Sequence, residues 1–313
     1  MAASLAFLAA PSFAQEDFPT RPVTIVAPFP AGSVTDAVTR TLAQALQQSL
    51  GQPIVVENRA GAQGTIGAAH VANARPDGYT LLMGSSVMFV ARSLIKSLPY
   101  DPVKSFAPVS GVGSTAMMFL VQQSSALQTV ADLTRESKNA SRPISMGYGS
   151  PSGQVAVALF STITDSTPTA VSYRGIPQAI TDLLGGQVDV AVVDIGNGLA
   201  QVKSGKARAL AISATSRYAG APEIPTLQEF FPNASGSLET IIAVMAPAGT
   251  PAATIARLDT AIQAALTTER VKEQFVTLNT SVLPLSTAKL AQRIAADNPR
   301  WESLMKKAGI EAQ

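Results

Sequence analysis

The sequence predicts an α/β fold built on mainly parallel sheets, and three observations carry that reading. From Val23 onward, short β-branched apolar runs alternate with stretches of helical period, the sequence form of βαβ units. The length of 313 residues fits two domains or one large α/β unit. Apolar residues make up 46% and charged residues 14%, which supplies a sizeable core and lies outside the disordered range.

Charge and side-chain inventory narrow the function classes. Lys plus Arg exceeds Asp plus Glu by 23 to 21, a net +2 that is too small to build the field nucleic-acid binding needs. With no cysteine and one histidine, disulfides, thiolate metal sites, cysteine nucleophiles and centres of several imidazoles are excluded. A cysteine-free chain also tolerates an oxidising compartment.

The elements follow in order. Leu5 to Ala10 is a short apolar stretch, and Ser12-Phe13-Ala14 places small residues where a signal peptidase reads. An export leader is therefore expected over residues 1–14, with a buried N-terminal helix as the competing reading. After it no apolar run approaches the roughly 18 residues of a membrane span. The first strand is Val23 to Ala27, and Val38, Leu42, Leu46 and Leu50 form one face of a helix stopped by Gly51. Ile54 to Val56 is a second strand, Gly61, Gly64 and Gly67 lead into a short helix through Ala74, and Thr80 to Met83 is a third strand ending at Gly84-Ser85-Ser86.

Pro99, Pro102 and Pro108 then break the pattern, so a crossing between domains is expected near residues 105–115. A second α/β set has strands at Met117 to Val121, Ile144 to Met146, Thr169 to Ser172, Val188 to Val193 and Ala209 to Ile212, with helices near 130–139, 154–163 and 176–184. The proline-rich segment Ala221 to Pro232 ends it. Ile241 to Ala246 reads as a strand returning to the first domain, with Thr250 as N-cap and Pro251 as first residue of the next helix. Two helices close the chain; in the second, Leu290, Ile294, Trp301, Leu304 and Met305 are the buried stripe and Gly309 the C-cap.

Two loops point to an anion. Pro28 to Asp36, with Gly32, Ser33 and Thr35, joins a strand's carboxyl end to a helix N-terminus, where unpaired amides attract negative charge; an ordinary capped turn is the alternative. Gly147 to Gly153 repeats that arrangement in the second domain through Gly149, Ser150 and Ser152. Tyr173-Arg174-Gly175 ends a third strand, where the guanidinium either clamps a carboxylate or stays on the surface. Asp194, at the end of the strand Val188 to Val193, has no cap partner in this reading. A ligand-ammonium contact and a loop-bracing acceptor both stay open for it.

Catalytic motifs are weak. Gly111-Val112-Gly113 lacks the helix and ribose partner of a dinucleotide site, Ser93 to Lys96 matches S-x-x-K without its companion motifs, G-x-S-x-G is absent, and His70 has no triad partner at a telling spacing.

These segments resemble a known family, the extracytoplasmic solute receptors of tripartite tricarboxylate transporters, also called Bordetella uptake gene proteins. The likeness rests on RPVTIVAPFPAGSVTD at 21–36, LGQPIVVENRAGAQGTIGA at 50–68, PDGYTLLMGSS at 76–86, LPYDPVKSFAPV at 98–109, YRGIPQAITDLLGGQVDV at 173–190, KSGKARALA at 203–211 and APAGTP at 246–251. It implies a two-lobed periplasmic binding protein of type II, each lobe a mainly parallel sheet flanked by helices. The first lobe would comprise 15–108 plus 240–313, the second 109–239. The implied function is capture of a small carboxylate in the interlobe cleft and delivery to a membrane permease, with no catalysis, no cofactor and no metal. A monomer is expected, with no nucleic-acid partner.

By that resemblance the ligand is surrounded by Phe29, Gly32, Ser33, Val34, Thr35 and Asp36 of the first loop, by Gly84, Ser85 and Ser86, by Gly149, Ser150, Ser152, Gly153 and Gln154, by Tyr173, Arg174 and Gly175, and by Asp194. This chain departs from the family in having Gly32-Ser33 for a double glycine, Gln154 for a histidine, Ile195 for an asparagine and Ala91-Arg92 for Asn-Pro. Arg92 either adds a cation to the site or lies on the surface. Arg174 and Arg92 are thus the candidate counter-charges for a second carboxylate. The ligand class stays open among dicarboxylates, tricarboxylates, amino acids and aromatic carboxylates. An enzyme acting on a carboxylate or ester in the same cleft is the alternative, and a sensory relative that binds a partner protein is a third reading.

Overall fold

The computed structural model describes residues 18–307 and 309, apart from 90, 92–94, 140 and 233–237. Its elements run β1 (Val23–Ala27), α1 (Val34–Leu50), β2 (Ile54–Asn58), α2 (Thr65–Ala72), β3 (Thr80–Ser85), α3 (Ser86–Phe89) and β4 (Phe106–Gln122). Then come α4 (Val130–Ser137), β5 (Ser145–Tyr148), α5 (Pro151–Thr164), β6 (Thr169–Ser172), α6 (Ile176–Leu184), β7 (Val190–Asp194), α7 (Ile195–Lys203) and β8 (Ala207–Ile212). The chain closes with α8 (Leu227–Phe230), β9 (Glu239–Pro247), α9 (Ala252–Leu266), α10 (Glu269–Thr277), β10 (Ser281–Val282) and α11 (Thr287–Lys307). The expected leader and Arg92 both lie outside the described residues.

Two sheets share one strand. In the first lobe β2, β1 and β3 run parallel, with Thr24 opposite Thr80, and antiparallel β9 joins β3 to β4. In the second, β7, β5 and β6 run parallel, and β7 and β8 both pair antiparallel with β4. Each lobe is therefore α/β with a mixed sheet, more mixed than an alternation of βα units alone would give.

The crossing expected near 105–115 is not a break but the N-terminal half of a 17-residue strand. β4 pairs with β9 from Phe106 to Ala116 and with β7 from Met117. Pro108, Gly111 and Gly113 interrupt the strand pattern in sequence, and the β4–β9 register shifts at those positions. Bulges let one strand bend from one sheet into the next.

Periodicity located α1 well: Val38, Leu42, Leu46 and Leu50 are buried, Ser33 caps the start and left-handed Gly51 the end. Three expectations are corrected. Pro251, not Thr250, is the N-cap of α9, because the Thr250 hydroxyl donates back to the Pro247 carbonyl. Among the described residues three helices, not two, follow the returning strand. A helix, α7, follows Asp194 where none was expected.

The last helix packs on both lobes. Leu290 and Ile294 join Val26, Met88 and Phe106 in a first-lobe cluster, whereas Trp301, Leu304 and Met305 join Phe119 and Phe160 in the second-lobe core. Pro299 sits between the two halves. The assignment of all of 240–313 to one lobe thus overlooks the last turns of α11.

Candidate functional site

A cavity of about 540 Å³ opens between the lobes, floored by β4 and β9 through Thr115, Thr240 and Ile242. The first lobe adds Phe29, Val34 and Thr35 at the start of α1, Ser85 at the end of β3, and Leu278 and Asn279 after α10. The second lobe adds Pro151 and Ser152 of α5 and Asp194, Ile195 and Gly196 of β7 and α7. Another groove of equal volume, between α1, α9 and α10, lies away from every one of these loops; its Arg40 is paired with Asp36 and its Arg270 donates to Gln44.

Three helix N-termini converge on the cavity, one more than the loops in the sequence announced. At α1 the Ser33 hydroxyl accepts the Asp36 amide at 3.2 Å, so the first-turn amides of Val34 and Thr35 are left without a partner among the described residues. At α5 the Ser150 hydroxyl accepts the Gly153 amide at 3.1 Å; Pro151 has no N–H, and the Ser152 amide is left without a partner among the described residues. At α7 the Asp194 carboxylate accepts the Asn197 amide at 3.0 Å and its Nδ2 at 2.7 Å, leaving the Gly196 amide without a partner among the described residues. Asp194 therefore does have a helix to cap, and loop bracing is its first role.

The other expected residues frame the cavity rather than line it. The Gly32 amide is not available to a ligand: it donates to Asp36 Oδ2 at 2.9 Å. Asp36 is buried and also receives Asn58 Nδ2 at 2.8 Å and Arg40 Nε at 3.1 Å. Burial pushes the Asp36 carboxyl up, but the hydrogen bonds from Arg40, Gly32 and Asn58 outweigh it and hold the group below its ordinary value. Its work is to fix the Phe29–Gly32 loop, since Asn58 also donates to the Phe29 carbonyl at 3.1 Å.

Gly84 is a buried strand residue opposite Ala243, and the Ser86 hydroxyl accepts the Ile241 amide at 2.8 Å, tying α3 to β9. Gly149 packs backbone to backbone on the next loop: a Cβ there would meet the Gly175 carbonyl carbon at 2.1 Å, so no side chain fits. Gly153 and Gln154 belong to the first turn of α5 behind Ser152, their amides given to Ser150.

Tyr173 and Arg174 do not reach the cavity. The Tyr173 hydroxyl donates to Asp182 at 2.7 Å, and burial together with that carboxylate pushes it up to about 12. Arg174 is exposed on the loop that Gly175 closes and is not among the residues that line the cavity. His70 is half-buried on α2, away from the cavity.

Sequence reasoning missed Thr115, Thr240 and Ile242 because the crossing strands were taken only as connections. It missed Ile195 and Gly196 because α7 was. Leu278 and Asn279 lie in a turn with no motif at all; the only local signal is an asparagine where a helix ends.

Comparison with known proteins adds the family. The TctC model, described as a tripartite tricarboxylate transporter family receptor, matches residues 38–310. The chain is 34% identical over 309 residues to Protein BugT of Bordetella pertussis, covering 97% of this chain and 94% of that one. Solved structures share its fold, among them the following three. Periplasmic binding protein BugD is 32% identical with a TM-score of 0.70, covering 95% of this chain and 100% of that one. Rpa4515 of R. palustris, solved with adipate, is 29% identical with a TM-score of 0.75 and the same coverage. MatC of Rhodopseudomonas palustris, solved with bound malate, is 30% identical with a TM-score of 0.69, covering 92% and 99%. No helix among the described residues is long and apolar enough to cross a membrane. Matched along nearly its whole length, the chain belongs to the tripartite tricarboxylate transporter receptor family and is a periplasmic solute-binding protein.

Proposed function

We propose that the protein captures a small carboxylate in the cavity between its lobes and hands it to the membrane permease of a tripartite transporter. The observation that carries the reading is the convergence of α1, α5 and α7, each with at least one unpartnered amide, on one cavity. One exposed helix terminus offers an anion only about 0.3–1 kcal/mol, but charge-assisted hydrogen bonds reach roughly 1.5–3 kcal/mol each. Several such bonds from two lobes give useful affinity only when the lobes close. Relatives solved with adipate and malate support a carboxylate as the ligand class.

Closure is proposed to turn on β4 near Thr115–Met117, where its pairing passes from β9 to β7, and on the chain entering β9 at Leu238–Thr240, where the Leu238 amide donates to the Ser213 carbonyl of the second lobe. The lobe boundaries at 108/109 and 239/240 are replaced by these points in the proposal.

Val34→Pro tests the site. Pro suits the first helical position, Ser33 before it is extended at φ −68° and ψ 159°, and Val34 is 46% exposed, so helix and packing survive while one cavity amide is deleted. Calorimetry against a carboxylate panel and the matching methyl esters should show acids binding and esters not. The variant should bind about tenfold or more weakly, from the loss of one charge-assisted bond. Ester binding equal to acid binding, or wild-type affinity in the variant, would sink the proposal.

A further inference from the structure

A row of charged side chains runs along α11 where the helix passes from the first lobe to the second. Arg293, Asp297 and Arg300 stand at i, i+4 and i+7, the spacing that stacks side chains on one side of a helix. Arg293 and Asp297 belong to the half that Leu290 and Ile294 seat in the first-lobe cluster, and Arg300 to the half that Trp301 anchors in the second-lobe core. Pro299 stands between them. It gives no N–H to the preceding turn, so the two halves can shift against each other. Arg293 faces Glu239, the first residue of β9, where the chain enters from the second lobe.

Pairing within this group is incomplete. Arg293 Nε donates to Asp297 Oδ2 at 2.6 Å. Glu239 Oε1 accepts both the amide and the hydroxyl of Thr215, at 3.0 and 2.9 Å. Its other oxygen, Oε2, lies 3.6 Å from Arg293 Nη2, beyond hydrogen-bond reach, and has no hydrogen-bond partner although the side chain is only 4% exposed. Arg300 Nη2 is likewise buried without a partner. Burial pulls that guanidinium below its ordinary value; Asp297 opposes the shift and Arg293 adds to it. An acceptor and a donor, each costly to leave unpaired out of water, thus sit within one group of two acids and two bases.

We propose that Glu239, Arg293, Asp297 and Arg300 form a hinge latch with two settings, and that closing the lobes moves it from one to the other. In the open setting, the one described above, Arg293 holds Asp297. In the closed setting Arg293 moves onto Glu239 Oε2, and Arg300, carried with the second lobe, takes the Asp297 carboxylate that Arg293 leaves. Each half of the exchange pairs one buried atom that is unpaired in the open setting. Acids and bases balance in both, so the exchange buries no new net charge. The closed form is therefore the better bonded at the hinge, which offsets part of the cost of holding the lobes shut. None of the four residues lines the cavity, so the latch acts on affinity without touching the acid. This inference rests on the capture and closure proposed above.

Urea unfolding and calorimetry of the full chain test it together, with succinate, malate, adipate and benzoate as probe acids. Arg300→Met removes a buried donor that has no partner and leaves an apolar chain in place of the stem, so the acid-free variant should unfold at a urea midpoint no lower than the wild type's. It should nevertheless bind the probe that the wild type accepts about tenfold more weakly, the effect of one charge-assisted hydrogen bond. Arg300→Lys keeps a cation for Asp297 and should restore most of that affinity. Glu239→Gln still offers an oxygen to Thr215 but turns an NH2 towards Arg293, which blocks the other half of the exchange. Its loss should be similar and should not add to that of Arg300→Met, since either change stops the same movement. A marked drop in the urea midpoint of Arg300→Met, wild-type affinity in that variant, or additive losses in the double variant would overturn the latch and leave carboxylate capture standing. Probe binding with no change in the wild-type radius of gyration would overturn closure, and the latch with it. If no probe binds the wild type and the wider acid panel is also silent, the capture reading fails. The latch is then decided by the urea midpoint of Arg300→Met, a value at or above wild type supporting it and a marked drop overturning it.

Discussion

Asp36 shows how one residue can be singled out in a sequence for the wrong task. Its place at the end of the strand-to-helix loop Pro28 to Asp36 was legible, but its role depends on Arg40 and Asn58, which reach it only after folding. No spacing rule connects residues 36 and 58. Gly32, Ser33 and Asp36 turn out to build the loop, leaving Val34 and Thr35 to present it. Because the Asp36 carboxyl is held below its ordinary value, its ionised form stabilises the native state above the unfolded value of about 3.9, and this is lost as pH falls through the lower folded value. Asp36→Asn should therefore be about 2 kcal/mol less stable than wild type at pH 7. That gap should shrink below pH ~4 as the wild-type carboxylate protonates. Urea denaturation at pH 7 and pH 3 checks this, and a gap independent of pH would contradict it.

Strands and long amphipathic helices were readable because their buried faces repeat: β1, β6 and α6 fall on their expected residues, and α1 and α11 bury the expected stripes. α7 was not readable, since Gly196, Asn197 and Gly198 sit in its first turns and glycine disfavours a helix by about 1 kcal/mol relative to alanine. What compensates is the Asp194 cap and the burial of Ile195 and Leu199, a tertiary effect invisible to local propensity. Asp194→Ala should thus lower unfolding free energy by ~1 kcal/mol, whereas Asp194→Asn should keep most of the capping. Equilibrium denaturation of the pair separates cap from charge; equal losses would mean the cap is not what holds α7.

The two-lobed plan was legible from the proline break and the returning strand, but the nature of the connection was not. A continuous strand that leaves one sheet and enters another looks, in sequence, like a strand, a break and a second strand. Glu239 marks the passage on β9: buried, it accepts the Thr215 amide at 3.0 Å from the second lobe and pairs with Arg293 of α11 at 3.6 Å. Lobes joined by two paired strands move as rigid bodies about them. Small-angle scattering should show a smaller radius of gyration in saturating ligand, and an unchanged radius at saturation would argue against closure.

α11 adds a third tie across the same boundary, and Pro299 decides how stiff that tie is. With no N–H to give the Ala295 carbonyl, the helix lacks a rung between its first-lobe and second-lobe halves. The chain's single tryptophan lies just beyond that missing rung, its indole 3% exposed in the second-lobe core. The molecule therefore carries one indole fluorophore, in an apolar setting, on an element that would have to flex if the lobes turn. Its emission is an optical gauge of the joint itself, read without a label and undiluted by any other indole.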